Sequence, residues 1–387
     1  MRIKVINNIA EEGLKRFGSA YTLVDEKADA LIVRSANLEE MVFEPQLKAI
    51  ARSGVGVNTI PLERCAEQGI VVFNTPGANA NAVKELVVAG LLLASRDISA
   101  AITWTQSLPH DETIVKTVEQ EKARFQGQEI KGKTLGVVGL GAVGVLVANV
   151  AVQLGMQVLG YDPYISITNA WGLSSKVKRA NSYDDVYRQA DYLSLHVPLV
   201  DATHHLIHKE RIKQMKKGIR ILNFARAELV DDQAMLEALK SRRVNTYVTD
   251  FPNEATKEMI HTIQIPHLGA STPESEINCA IMATTQLLDY LDHGSIKHSV
   301  NYPDCSLGVC HSQARLTVLH QNVVNMVGQI TDIIAQAKIN IDAMQNTSKN
   351  QWAYTVLDVD QRLSDAIIAQ INQIEGVVKV RVLGQKA

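Results

Sequence analysis

The chain has 387 residues, 46% of them hydrophobic and 21% charged, with a formal net charge of -2. That balance describes an ordinary soluble protein with no electrostatic bias toward nucleic acid or an anionic membrane, so any phosphate recognition has to be local. At roughly 150 residues per domain, the length asks for two or three domains rather than one.

Residues 1–17 open with a short apolar run (Ile3, Val5, Ile6) and a charged helical stretch, without the basic-then-apolar layout of a signal peptide, so the mature chain is expected to start at Met1. Apolar runs at 3–6, 30–33, 47–51 and 70–73 predict the strands of a first α/β domain. A long helical pattern covers 80–105. Its most apolar part, 86–94, falls far short of the ~20 residues a membrane span needs and reads as a buried helix. From 133 to 266, short apolar runs alternate with helical spacing, the sequence form of a doubly wound parallel sheet, with strands at 134–138, 157–161, 178–180, 192–196, 220–223 and 245–249. A second long helical pattern over 273–292 pairs with the first. Together they read as crossover helices that return the chain to the first domain and leave a cleft between the lobes.

After Gly294 the sequence turns loop-like through Asn301, Pro303 and Gly308, a linker pattern. Beyond it come a strand at 315–319, a helix at 327–337, strands at 339–343 and 352–358, a helix at 364–373 and a strand at 377–383, the βαββαβ order of a ferredoxin-like sandwich. The expected architecture is α/β, with two doubly wound domains, Rossmann-like and flavodoxin-like, and a small C-terminal domain. The boundaries are 1–95 with 275–300 for substrate, 96–274 for cofactor, a linker at 301–312, and 313–387.

Cys65, Cys279, Cys305 and Cys310 are scattered in a chain large enough to need no covalent staples, which fits a reducing, cytoplasmic location. Cys305, Cys310 and His311 match neither a zinc CxxC pair nor a haem CxxCH, and His204, His205 and His208 read as a solvated turn, so no metal is expected.

The best local signal is Gly139-Leu140-Gly141-Ala142-Val143-Gly144, placed directly after an apolar run and before a helix. Gly139 permits the tight turn, Gly141 lets the backbone approach a pyrophosphate, and Gly144 allows close packing of helix on sheet. The helix start at Ala142 and Val143 offers free N–H groups and a partial positive charge. After the next strand Asp162 can bind the adenosine ribose hydroxyls and repel a 2′-phosphate, so NAD is expected over NADP.

Later segments resemble the D-2-hydroxyacid dehydrogenase family: Arg226 in Asn223-Phe224-Ala225-Arg226, Glu254 in Asp250-Phe251-Pro252-Asn253-Glu254, and His267 in Pro266-His267-Leu268-Gly269. Leu195-His196-Val197-Pro198 is similar to the family's cofactor-lining loop, and the resemblance extends from the N-terminus to about Val300. Oxidising a 2-hydroxy acid needs a base for the hydroxyl proton, a cation for the carboxylate and a nicotinamide to take the hydride. The resemblance assigns His267 as the base, Arg226 as the clamp and Glu254 as the partner that orients the imidazole. It also places His196, Val197, Pro198, Phe224, Ala225, Arg226, Asp250, His267 and Gly269 around the cofactor, with Asp250 near the nicotinamide amide. There are two departures: Ala227 stands where relatives have Gly, and Asp-Phe-Pro replaces Asp-Val-Phe-Pro, a missing residue that shifts Glu254 or Asp250.

Within the family, Arg34 and Ser35 and the loop Gly54-Val55-Gly56 resemble the substrate-facing parts of phosphoglycerate-oxidising members, with Asn79 or Asn81 also reaching the pocket. The C-terminal unit resembles an ACT domain, a small-molecule sensor, and His320, Asn322 and Asn340 resemble its serine contacts, with Val324 where relatives have Pro. The resemblance therefore implies D-3-phosphoglycerate as substrate, L-serine as effector, and a homodimer or homotetramer. Glycerate or lactate is the alternative substrate, and a nucleotide-sensing corepressor module of the same fold is the alternative to catalysis.

Overall fold

A computed structural model describes residues 1–384, so the last three residues of the expected small domain lie outside it. The chain forms two compact units, Met1–Ala78 with Glu276–Ala387, and Asn79–Ser275.

In the first unit, β1 (Arg2–Ile6), β2 (Thr22–Leu23), β3 (Ala30–Val33), β4 (Ala49–Arg52) and β5 (Val71–Phe73) make a parallel sheet in the order β2-β1-β3-β4-β5, the flavodoxin-like arrangement. All residues of β3 and β5 are buried, as expected of strands covered on both faces. One face packs Ile3, Ile32 and Phe73 against Leu287, Tyr290 and Leu291 of the helix Pro273–His293. The other packs Leu31, Ile50 and Val72 against Leu38, Phe43 and Ile60.

The second unit holds β6 (Thr134–Val138), β7 (Gln157–Tyr161), β8 (Lys178–Arg179), β9 (Tyr192–Leu195), β10 (Ile219–Asn223), β11 (Val244–Thr249) and β12 (Thr262–Gln264). Their order, β12-β11-β10-β9-β6-β7-β8, reverses between β6 and β9, the switch point at which doubly wound sheets bind ligands. The helix Ala80–Ser95 packs on the helix Ala142–Gln153 and on β10, where a Cβ on Gly90 would lie 3.0 Å from the Phe224 ring. It therefore belongs to this unit, not to the first domain as its sequence position suggests.

The helical pattern expected over 80–105 is in fact two helices, Ala80–Ser95 and Ile98–Gln106, turned by 73°. Arg96 is extended, and the Ser95 carbonyl accepts the Gln128 N–H at 3.0 Å instead of continuing the helix. Among the described residues no single helix is long and apolar enough to cross a membrane. The short edge strands β2 and β12 carry too few residues for an alternation to show in sequence.

The C-terminal strands β13 (Ala314–Gln321), β14 (Ile341–Lys349), β15 (Trp352–Val359) and β16 (Val377–Leu383) form an antiparallel sheet in the order β14-β15-β13-β16. Leu316, Val318 and Leu357 pack under the helices Met326–Gln336 and Asp365–Asn372. The opposite face does not look to water: Leu319, Trp352, Tyr354 and Val356 share a core with Tyr290, Leu291 and Tyr302.

Two arginines of this sheet take the last carbonyls of the helix Pro273–His293. Arg381 donates to Tyr290 O (3.3 Å) and Leu291 O (2.9 Å). Arg315, fully buried, donates to His293 O at 2.7 Å and forks onto the Asp358 carboxylate at 2.6 and 2.7 Å. The residues expected as a linker are built in as well. Asn301 accepts the Val72 N–H and donates to Ile70 O, both at 2.9 Å, and the Tyr302 hydroxyl reaches Ala66 O at 2.7 Å.

Candidate active site

Because every strand of the second unit's sheet is parallel, the C-terminal ends of β6, β7, β9, β10, β11 and β12 share one edge. The candidate cofactor and catalytic residues of this unit lie on the loops that leave that edge.

After β6, Gly139 adopts φ +91, and a Cβ there would sit 2.6 Å from His196 O, so the glycine loop lies directly against the loop that follows β9. A Cβ on Gly144 would meet Gly139 O at 2.0 Å, whereas one on Gly141 would meet nothing within 4 Å. Gly141 is the N-cap of the helix Ala142–Gln153 and no side chain caps it, which leaves the Ala142 and Val143 N–H groups for an anion. The open space over Gly141 and those N–H groups fit a dinucleotide pyrophosphate. At the end of β7, Asp162 accepts N–H groups from Leu140 and Tyr164, both at 2.8 Å, which fixes the carboxylate beside the glycine loop. Burial pushes the His196 imidazole down to about 4, so it is neutral at physiological pH, and its Nε2 pairs with Ser194 Oγ at 2.8 Å.

Arg226 follows β10 on a loop held by the buried Asn223, whose amide accepts the Ala225 N–H (3.2 Å) and donates to Arg226 O (2.8 Å). The Arg226 side chain is exposed, and Ala227 enters the short 3-10 turn Ala227–Leu229 without a positive φ, so alanine is accommodated where relatives carry glycine. His267 is exposed after β12, its ring tilted against Phe251 at 4.8 Å.

Glu254 departs from expectation. It is exposed at the first position of the helix Glu254–Glu258, which a reciprocal Asn253–Thr256 capping box pins in place, and among the described residues no hydrogen bond or ion pair joins it to His267. Asp250 is buried instead, with Oδ2 accepting the Gly269 N–H at 3.2 Å and Oδ1 without a partner.

Residues 88–270 match the model of the D-isomer specific 2-hydroxyacid dehydrogenase NAD binding domain. A D-3-phosphoglycerate dehydrogenase from Haemophilus influenzae is 30% identical over 88% of this chain and 82% of its own length. Another from Methanocaldococcus jannaschii is 34% identical over 85% of this chain, which spans only 63% of that longer relative. The NAD+-bound 3-phosphoglycerate dehydrogenase of Entamoeba histolytica superposes with a TM-score of 0.59 at 27% identity, over 78% of this chain and 98% of its own.

The chain belongs to the D-2-hydroxyacid dehydrogenase family. It is an NAD-dependent oxidoreductase.

In the first unit of this dehydrogenase, the Asn7 side chain (φ +72) gathers the N–H groups of Arg34, Ser35 and Ala36, and the Arg34 guanidinium pairs with Glu276. Asn74 and Thr75 hold the glycine loop through Val55 O (2.7 Å) and Gly54 O (3.0 Å). Arg52 was not singled out from sequence. It donates from Nε to Arg34 O at 3.0 Å, and its guanidinium lies under Gly54 and Gly56, 2.9 and 3.5 Å from where their Cβ atoms would be. An arginine two residues before a Gly-x-Gly was the available signal. Of the two asparagines, Asn81 is committed to Glu85 and Lys84, whereas Asn79 makes no side-chain cap at the head of its helix.

The expected serine contacts do not converge within one chain. His320 is buried, bonded to Gln321 O and Thr355 Oγ1, both at 2.8 Å. Gln321 pairs with Trp352 at one end of β15, whereas Ile341 pairs with Val359 at the other. Asn322 and Asn340 therefore sit at opposite ends of the sheet. Asn325 takes φ +63 at the head of the helix Met326–Gln336, so the loop after Val324 has a defined left-handed turn. Among the described residues no group of three or more His, Cys, Asp or Glu side chains could hold a metal ion.

Proposed function

We propose that this dehydrogenase oxidises D-3-phosphoglycerate to 3-phosphohydroxypyruvate, with His267 as the base and Arg226 as the carboxylate clamp. The observation that carries the reading is the single edge of the second sheet, where the glycine loop, Asp162, Arg226 and His267 lie on loops after parallel strands. The glycine loop and Asp162 would hold NAD, which would supply the acceptor for the C2 hydride. Arg226 holds the substrate carboxylate by paired charge-assisted hydrogen bonds, and the exposed His267 imidazole accepts the C2 hydroxyl proton. Neutral His196, Val197 and Pro198, with Phe224, Ala225 and Gly269, line the cofactor. Within the first unit, Ser35 and the Gly54-Val55-Gly56 loop are the candidate substrate contacts, with Arg34 and Arg52 offering positive charge for a phosphate, and within the second unit Asn79 is a further candidate. Initial rates with 3-phosphoglycerate, glycerate and lactate, each with NAD, test the reading. The highest kcat/KM is expected for 3-phosphoglycerate, and a preference for an unphosphorylated acid would reject the substrate.

The C-terminal domain is an ACT domain that binds L-serine between two copies of the chain. Asn322 donates to Asn350 O, which places it at the finish of the edge strand β14, while Asn340 stands at its start. Antiparallel pairing of two β14 edges would bring Asn340 of one copy to Asn322 of the other. A homodimer or homotetramer is further supported by the helix Ile98–Gln106, which buries no residue and exposes Ile98 and Ile102. A cytoplasmic location agrees with the buried thiols Cys65 and Cys305, the former pushed up to about 12 by burial.

A further inference from the structure

We infer that Glu276 is an internal counter-ion for Arg34, occupying the guanidinium that the substrate's phosphate would take and so limiting how strongly this dehydrogenase favours phosphorylated acids. The inference rests on the substrate reading proposed above. Arg34 follows β3 on a segment whose main chain is held from two sides. Asn7 Oδ1 accepts the N–H groups of Arg34, Ser35 and Ala36 at 3.4, 3.1 and 2.9 Å, and Arg34 O accepts Arg52 Nε at 3.0 Å. With the main chain fixed, the side chain is the part free to change partners. Its Nη2 donates to Oε1 of Glu276, which stands in the first turn of the helix Pro273–His293. That helix is seated on the sheet of the first unit through Ala280, Ala283 and Leu287, packed with Ile3, Ile32 and Ala51, so its carboxylate is presented from a fixed support.

Arginine holds a phosphate ester with the same N–H donors that hold a carboxylate, and the Arg34 Nη2 is already engaged. A phosphate ester carries roughly -1.5 to -2 charges near neutral pH, so it meets two obstacles here. The Arg34–Glu276 pair has to open, and the released carboxylate then lies close to a second anion. A 2-hydroxy acid without phosphate makes no demand on Arg34 and meets neither obstacle. The pair can be displaced, because its side chains are 41 and 42% exposed and solvent-exposed ion pairs hold weakly. Glu276 therefore weakens phosphate binding without abolishing it. A repulsive element aimed at one class of ligand sets specificity as effectively as an added attraction.

The test compares the wild-type enzyme with Glu276→Gln, Arg34→Gln and the double variant, using 3-phosphoglycerate and glycerate with NAD. Both side chains are half-exposed, so the variants should fold with a wild-type thermal midpoint. Glu276→Gln should lower KM for 3-phosphoglycerate by about 5- to 30-fold, leave KM for glycerate within about twofold and keep kcat within about threefold. Inorganic phosphate, as a competitive inhibitor, should act on Glu276→Gln at several-fold lower concentration. In the Arg34→Gln background most of the effect of Glu276→Gln should vanish, since the contested cation is gone.

A raised KM for 3-phosphoglycerate in Glu276→Gln would overturn the inference, because it would make Glu276 a brace for Arg34 rather than a competitor. An unchanged KM in Glu276→Gln together with a raised one in Arg34→Gln would also overturn it, leaving Arg34 as a phosphate ligand. If the wild-type enzyme prefers glycerate, the substrate reading itself fails. The inhibition by inorganic phosphate then decides the inference separately: a gain in Glu276→Gln upholds it, and no change rejects it.

Discussion

Gly141 and Gly144 sit three residues apart in one loop and need to be glycine for different reasons. At Gly144 a methyl group would stand 2.0 Å from Gly139 O, so Gly144→Ala has to move the backbone between strand and helix and should lower the thermal midpoint. At Gly141 the same methyl enters open space, so Gly141→Ala should fold with a normal midpoint yet raise KM for NAD, because it occupies the approach of the pyrophosphate. Differential scanning calorimetry and initial rates separate the two. For the assigned base, His267→Ala should cost about 100- to 10,000-fold in kcat while NADH still binds, read by quenching or enhancement of the reduced nicotinamide's fluorescence. That the glycine loop, Asp162, Arg226 and His267 lie on loops after strands was legible in the sequence, because each sits at a fixed offset from an apolar run. The burial of the two acids after β11 was not legible. Asp250 is buried and Glu254 exposed, and spacing alone does not say which of the two acids faces inward. Arg52 escaped for a similar reason, since only the turn after β4 folds its side chain beneath the glycines it precedes.

At the scale of strands and helices, the C-terminal sheet is pinned by charge inside its core. Asp358→Ala would strand the fully buried Arg315 without its anion and should cost about 3–5 kcal/mol, whereas the double replacement Arg315→Met with Asp358→Leu should recover most of that in urea unfolding. Lys379 on β16 adds a pH signature. Its ammonium donates to Leu47 O at 2.7 Å, and burial pushes it down to about 8, against about 10.4 in an unfolded chain. Between those values the unfolded chain binds more protons, so this group makes stability rise with pH across that window and leaves a constant cost below it. The stability of Lys379→Met relative to wild type should therefore be greatest near neutral pH and decline toward pH 10, as followed by thermal melts. The strand pattern of this domain could be read in advance, but its second buried face could not. Alternation along β13 and β15 is masked because the strands are covered on both sides. The break at Arg96 was hidden for a comparable reason, because the competing donor, the Gln128 N–H, lies thirty-odd residues further along the chain.

For the molecule as a whole, two exposed features test the proposed assembly. Ile102→Glu on the uncovered helix Ile98–Gln106 should lower the mass seen in sedimentation if that face joins two copies, and an unchanged mass would place the contact elsewhere. Serine should release or absorb heat in calorimetric titration of the full chain, and Asn340→Ala should abolish that heat while sparing basal turnover. No heat at millimolar serine would leave the domain without the proposed ligand. The arginine stoppers on the helix Pro273–His293 bear on how this C-terminal domain is inherited. Sensor domains are commonly imagined as cassettes, added to or removed from an enzyme by a cut in a flexible tether. Here no such seam exists: a chain cut after Pro303 would lose the donors for Tyr290, Leu291 and His293 and lay Tyr290 and Tyr302 open to water. A recombination that transplants this domain into another dehydrogenase would have to carry the end of that helix with it, so the smallest heritable cassette begins upstream of Tyr290 rather than at the loop.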